Sequence, residues 1–348
     1  MPKTDQIRAV DTHAHIITEE AMRLIARESP KIGPRLTPID QDSAVIDVDG
    51  VAYKPFPRGA WDLERRFRDM DAADVDMQII SITPQTFLYN QDGALNATLA
   101  AIQNEQIAKI VADHPDRFAG IATLPMQAPD KAADELRRAT RQLGLRGAQI
   151  GSNINGRNLD DPVFEPVWEA ANELKALIMV HPTQVAGAER LKSYYLTNLI
   201  GNPLDSTIAA ACLVFGGVIA RYPAIRFLFV HGGGFVAWQA GRFSHGWHVR
   251  PEPKLKLKQP PDGALNTIYF DTILHAQPQL ECLIKLAGAG RVVLGSDYPY
   301  DMGTLECVRQ VRALSIPQAD KETILSDGPR ALIGETGADR RRGVRAGR

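Results

Sequence analysis

Apolar residues along this chain fall into short runs separated by longer amphipathic stretches, and the two alternate almost from end to end. The runs are rich in Val, Ile, Leu and Phe and are bounded by polar or turn-forming residues, as in strands buried on both faces. They predict strands over 7–11, 75–82, 117–124, 145–150, 176–181, 225–231, 267–272 and 291–296. Between them, apolar positions recur at helical spacing over 95–113, 131–143, 164–174, 207–222 and 278–287, which predicts helices. Strands alternating with helices predict a parallel α/β architecture. Eight such units in a chain of this length predict a (β/α)8 TIM barrel. A doubly wound open sheet is the alternative, but no glycine-rich dinucleotide fingerprint follows an early strand.

Three stretches depart from the repeat. Residues 17–61 contain Asp47-Val48-Asp49-Gly50-Val51-Ala52-Tyr53, where Asp-Gly between short alternating segments reads as a β-hairpin. We expect a small insertion here, after the first strand, overhanging the C-terminal mouth of the barrel. Residues 182–207, with Tyr194 and Tyr195, form a long connection after the fifth strand, where barrel enzymes place substrate contacts. The Pro-rich stretch 251–261 is another irregular connection. The expected organisation is one domain over 1–335 followed by a basic, frayed tail at 336–348.

Composition narrows the classes. The 348 residues are 44% hydrophobic, enough for a sizeable core, and the formal net charge of −1 provides no global field for nucleic acid or an anionic membrane. No apolar run is long enough to span a bilayer, and residues 1–6 lack the apolar segment of a secretory signal. Cys212, Cys282 and Cys307 are few and not in metal spacing. Disulfides are not expected, and the expected location is the cytoplasm.

The chemistry gathers at predicted strand ends. The first strand leads into Asp11-Thr12-His13-Ala14-His15, and residues i and i+2 of a strand share a face. Two imidazoles converging there suit a divalent cation. The fifth strand ends in His181, the sixth in His231 and the eighth in Asp297. In a closed barrel these ends meet on one face. Each residue alone has a duller reading: a hydrogen-bonded core histidine, or a capping aspartate. Together they point to one centre. We assign His13, His15, His181 and Asp297 as ligands of one divalent ion. The fourth strand, ending Gln149-Ile150-Gly151, lacks the lysine or glutamate that usually bridges two ions. His231 is then free to act as general acid or base, with Asp297 as a further proton-exchanging group. Gly232-Gly233-Gly234 predicts a tight turn with φ > 0. Arg242 is a candidate clamp for a substrate carboxylate.

These segments resemble the amidohydrolase superfamily, and within it the 2-amino-3-carboxymuconate-6-semialdehyde decarboxylase branch. The resemblance runs from Asp11 to about Gly303. It is carried by the histidine motifs together with Thr123-Leu124-Pro125-Met126-Gln127-Ala128-Pro129, His231-Gly232-Gly233-Gly234 and Gly295-Ser296-Asp297-Tyr298-Pro299. It implies a metal-dependent barrel, with zinc as the expected ion and manganese as the other choice, and a homodimer. It implies that His231 is the acid/base histidine and that Arg242 reaches the neighbouring subunit's site. Lys54 stands where the branch has a second substrate arginine, and lysine offers a point charge rather than a planar fork. Thr183-Gln184 follow His181-Pro182 where the branch has a tryptophan and an aspartate. The reaction class carries over under the resemblance; the particular substrate does not follow from it.

The expected function is therefore non-oxidative decarboxylation of a small unsaturated or aromatic carboxylic acid. The alternative is a metal-dependent hydrolase or hydratase of a small carbonyl compound or lactone. A binding protein that kept the fold without the chemistry is a third reading.

Overall fold

The computed structural model describes residues 9–335. The expected tail at 336–348, and the first residues of the predicted first strand, lie outside them. Strands form at all eight predicted positions. They are β1 (Val10–Ile16), β5 (Met77–Ile82), β6 (Phe118–Gly120) with β7 (Ala122–Thr123), β8 (Gly147–Gly151), β11 (Leu177–His181), β12 (Arg226–Phe229), β13 (Tyr269–Asp271) and β14 (Val292–Val293). Between β1 and β5 lie β2 (Arg35–Pro38), β3 (Ser43–Val48) and β4 (Val51–Pro57), and after β8 a short ribbon of β9 (Asn153–Ile154) and β10 (Arg157–Asn158).

Every pairing among the predicted strands is parallel. β1 pairs with β5 and β5 with β6; the chain continues at β7, and the order runs β7-β8-β11-β12-β13-β14. The Thr12 amide donates to Leu294 O at 2.8 Å and the Asp297 amide to His13 O at 2.8 Å, joining the β1 segment to the chain after β14. Alternation along these strands divides their apolar side chains between two cores. Val10, Met77, Ile79, Leu177, Met179, Leu228, Val230 and Val293 pack with one another. Ile80, Ile82, Ile178, Val180, Phe227 and Phe229 pack outward with the helices.

Helices form at all five predicted positions, one of them shifted. The helices include α1 (Glu19–Glu28), α2 (Leu63–Ala72), α3 (Gly93–Asp113), α4 (Pro129–Arg141), α5 (Glu165–Glu173), α6 (Asn202–Phe215), α7 (Val218–Arg221) and α8 (Val236–Val249), with a later helix over Gln277–Ala287; α1, α2 and α8 form where none was predicted. The predicted 207–222 helix begins earlier, at Asn202, because Pro203 is pre-set for the first turn. It breaks after Phe215, and Gly217 takes φ 72.

Residues 17–61 hold more than a hairpin. They contain α1 and an antiparallel sheet in the order β2-β3-β4. Asp49 (φ 54) and Gly50 (φ 75) make the left-handed turn between β3 and β4. Ile17, Ile25, Ile46, Val48 and Phe56 pack beneath this sheet with Leu88 and Leu99.

Candidate metal centre

β1 carries an extra residue relative to β5. Asp11 faces Gln78, but Ala14 faces Ile80, so the register shifts between them. Such a bulge moves the following side chains to the opposite face. It is what brings His13 and His15 to the inner side, although Val10 also points there. His181 is the last residue of β11, His231 follows β12, and Asp297 follows β14. His231 (φ 56) and Asp297 (φ 56) both sit in the left-handed region, which is uncommon for a residue with a Cβ and concentrates at functional sites.

His13, His15, His181 and Asp297 are buried, and their ligand atoms all lie within 4.8 Å of one another. His13 Nδ1 lies 2.8 Å from Asp271 Oδ2, His15 Nδ1 2.9 Å from Ile82 O, and His181 Nδ1 3.0 Å from Pro182 O. Each of these oxygens is an acceptor, so each Nδ1 carries the proton and donates it. The three Nε2 atoms are then bare lone pairs. His13 Nε2 and His15 Nε2 stand 3.0 Å apart, and each is 3.3 Å from Asp297 Oδ1. Asp297 Oδ1 has no hydrogen-bond donor. Lone pairs facing one another across a buried point repel, and a cation at that point turns the repulsion into coordination. The donor set of three imidazoles and one carboxylate is that of a divalent metal ion.

The charges around the site agree with this. Burial works against an ionised Asp297, but His13, His15 and His231 hold its carboxyl well below the usual carboxylate range. Burial likewise opposes the charge on Asp271, and His13 holds that carboxyl below its ordinary value. Burial works against a proton on His13, while Asp297 and Asp271 favour one and raise it overall. A proton and a divalent ion compete for the same nitrogen. Burial, reinforced by the neighbouring histidines, drives His181 well below its usual value.

His231 stands at the edge of this group. Its Nε2 is 3.4 Å from Asp297 Oδ2, and its Nδ1 has no partner. It opens onto a cavity of about 290 Å3 whose wall includes Asn198, Asn202, Phe235, Trp238, His275 and Met302. The glycines after it have φ 61, 70 and 62. A Cβ on Gly234 would stand 2.0 Å from Pro203 O, and one on Gly233 2.4 Å from Phe270 Cδ1. The close approach at these glycines is to the protein's own core.

Asp271, at the end of β13, is the residue that reading by motif passes over. Its carboxylate accepts from His13 Nδ1 (2.8 Å), the His231 amide (2.9 Å), the Gly232 amide (2.7 Å) and the Ile273 amide (3.1 Å). It orients the ligand candidate His13 and fixes the segment that carries the acid/base candidate. The seventh strand run and Asp271 at its end were the available signal. Asp11 is a second such carboxylate. It accepts from the His13 amide at 3.1 Å and Ser296 Oγ at 2.5 Å, and burial pushes its carboxyl up to about 6. Arg242 on α8 and Lys54 on β4 are exposed, and neither lines the His231 cavity. Within one chain, then, the structure brings together five of the seven predicted site residues: the three acceptor-fixed histidines, Asp297 and His231.

The family model for amidohydrolases matches residues 10–334. The chain is 32% identical to 2-amino-3-carboxymuconate-6-semialdehyde decarboxylase from Dictyostelium discoideum, over 93% of this chain and 91% of that one. In fold it is similar to the crystal structure of 5-carboxyvanillate decarboxylase LigW from Sphingomonas paucimobilis. The TM-score is 0.81 and the identity 23%, covering 95% of this chain and 100% of that one. It is similar too to a dihydroxybenzoic acid decarboxylase from Polaromonas sp. JS666 with bound manganese and 2-nitroresorcinol, with TM-score 0.78 and identity 22%, covering 94% and 97%. The match across 10–334 and the relative aligned over nearly its whole length place this chain in the amidohydrolase family, beside the 2-amino-3-carboxymuconate-6-semialdehyde decarboxylases.

Proposed function

We propose that this chain is a metal-dependent carboxy-lyase that removes carbon dioxide from a small aromatic or unsaturated carboxylic acid. His13, His15, His181 and Asp297 hold one divalent ion, zinc by donor set, with manganese as the other choice. The observation that carries the reading is the convergence of three bare Nε2 atoms and Asp297 Oδ1 beside His231, at the end of a cavity sized for a small ligand. When bound, a divalent ion supplies a Lewis acid for the oxygens of a carboxylated substrate.

The chain's own residues do the rest. The apolar wall of the cavity excludes water around the reacting carbon. When the bond to the carboxyl group breaks, its electron pair stays on that carbon and carbon dioxide leaves. His231 supplies the proton that takes its place, and the Asp297 carboxylate beside it stabilises the protonated imidazole before transfer. The Asp271 hydrogen bonds to the His231 and Gly232 amides keep this geometry.

The same reading includes a closed eight-stranded barrel in one domain, with the 17–61 segment over its mouth. It is supported by the parallel strand order and by the hydrogen bonds linking β1 to the chain after β14. It also includes a homodimer. Trp238 is 56% and Leu199 47% exposed beside the cavity, and Arg242 on the same helix makes no hydrogen bond or ion pair among the described residues. A second chain covering this face would bring a guanidinium to an acidic ligand, with Lys54 as a second cationic group at the rim. The free cysteines support a reducing compartment such as the cytoplasm. No described helix is long and apolar enough to cross a membrane.

The test is carbon dioxide release by zinc- or manganese-loaded protein offered carboxylated catechols, resorcylates, vanillates and aminomuconate semialdehydes. Turnover with carbon dioxide release supports the reading. Turnover of a lactone or double bond without it refutes decarboxylation in favour of hydrolysis or hydration.

A further inference from the structure

The cavity beside His231, about 290 Å3, lies near the bottom of the range for small-molecule sites, about 300–1,000 Å3. That suits a ligand with a single ring. Its polar lining among the described residues is Asn198, Asn202, His231 and His275; no lysine, arginine or carboxylate is part of it. Of its two imidazoles, His231 faces Asp297 and serves the reaction. His275 is used by nothing described so far.

The fold takes care over His275. The segment leading to it starts at Asp271, which is tied to the His13 ring and the His231 amide. Thr272 Oγ1 donates to Gly295 O at 3.2 Å and accepts from the Gly295 amide at 3.1 Å. The Leu274 side chain fills the space beside Gly232, where a Cβ would lie 2.5 Å from Leu274 Cδ2. The chain is therefore held in register with His231 up to the residue before His275. His275 itself then takes φ 57, an unfavourable conformation for a residue with a Cβ. Strain of this kind persists where the surroundings impose it and gathers at ligand sites. The side chain is exposed and makes no hydrogen bond or ion pair among the described residues. It also borders a second cavity of about 130 Å3, so the ring has room to turn.

We propose that His275 is a specificity residue, hydrogen-bonding an oxygen substituent on the substrate skeleton away from the carboxyl group that is lost. The inference rests on the decarboxylase reading, in which His231 faces the reacting carbon. An imidazole can donate from one nitrogen and accept at the other, so a hydroxyl, a methoxy or a second carboxylate oxygen fits. An unsubstituted ring leaves it idle.

The test is calorimetric binding of benzoate, 3-hydroxybenzoate and 4-hydroxybenzoate to the metal-loaded protein. The wild type should bind one of the hydroxylated probes about three- to tenfold more tightly than benzoate, the worth of one net hydrogen bond. His275→Ala should erase that preference while leaving benzoate affinity, metal content and melting temperature unchanged. His275→Gln, which keeps a donor and an acceptor, should restore part of it. A wild type that does not distinguish the probes, or an alanine variant that weakens all three equally, overturns the proposal. Carbon dioxide release is measured separately. Its absence beside intact probe discrimination removes the reaction and leaves the His275 contact standing.

Discussion

Asp271→Asn removes one charge and changes almost no volume, yet it should disable the metal centre. In the native chain Oδ2 takes the His13 Nδ1 proton (2.8 Å) and the His231 amide (2.9 Å), and Oδ1 takes the Gly232 (2.7 Å) and Ile273 (3.1 Å) amides. All four groups are donors. Asparagine offers one accepting end and one donating end, so whichever way it turns, two N–H groups face an NH2. Turned one way, the glycine segment carrying His231 loses its anchor. Turned the other way, His13 must move its proton to Nε2, the atom needed for the ion. A buried donor left without its acceptor costs about 1–3 kcal/mol, so with two of them the metal-free variant should lose about 2–6 kcal/mol of stability. Changing the outer partner of a ligating histidine lowers metal affinity about 10–100-fold. Chelator competition on dialysed protein reads the affinity, and urea unfolding in the presence of chelator reads the stability. An affinity within about twofold of wild type, together with unchanged stability, would show that Asp271 does not orient His13.

Three further outcomes are expected. His231→Asn should keep its metal, measured by elemental analysis, and lose turnover by roughly 10²–10⁴; loss of the ion instead would make His231 a ligand. Gly59→Ala places a Cβ 1.7 Å from Tyr298 Oη and should lower stability by about 1–3 kcal/mol, read by denaturant midpoint. Under the proposed homodimer, Arg242→Ala and His13→Ala proteins, each nearly inactive, should partly recover activity after subunit exchange, because a heterodimer would have one site with intact ligand candidates and a donated arginine. No recovery despite demonstrated exchange would confine Arg242 to its own chain.

The ligand candidates were legible because strand ends have a signature. His181 and His231 each directly follow an unbroken apolar run, and Asp297 lies two residues, Gly295-Ser296, beyond one; burial on both faces is what such a run requires. The partners that set the tautomers were not legible. Ile82 and Pro182 contribute backbone carbonyls, and a carbonyl is the same at every position in a sequence. Nor did alternation reveal the extra residue between Asp11 and Ala14; a bulge is a property of the pair of strands. The 17–61 segment was read for its Asp-Gly turn. It also holds α1, whose Thr18 cap accepts from the Ala21 amide at 2.9 Å. That cap was visible in principle but was masked by the polar residues flanking the helix. Lys54 came from resemblance and Arg242 from its place after the glycine turn as well as from resemblance, and neither is drawn into the cavity by a single chain.

Charge accounting explains why these residues make a centre rather than a core. Asp271 and Asp297 are ionised and buried, and both approach His13, at 2.8 and 3.3 Å. Buried charges are stable only when paired or coordinated to a metal. The nearby fixed cation is Arg66, fully buried and lowered by that burial to about 10, so it stays charged. Its NH1 donates to Gln78 Oε1 at 2.8 Å, and its NH2 to Gly59 O at 2.9 Å and to the His15 carbonyl. It therefore supports the backbone beneath the site and leaves both carboxylates to be matched from elsewhere. A proton on His13 supplies one positive charge, but it blocks Nε2 and leaves the lone pair of His15 Nε2 and Asp297 Oδ1 facing each other. A divalent ion held by His13, His15, His181 and Asp297 would supply two and would give Asp297 Oδ1 its missing partner. We infer that this is why two carboxylates and three Nδ1-protonated histidines are gathered from separate strand ends around one point: a proton satisfies part of the set, and a divalent cation satisfies all of it.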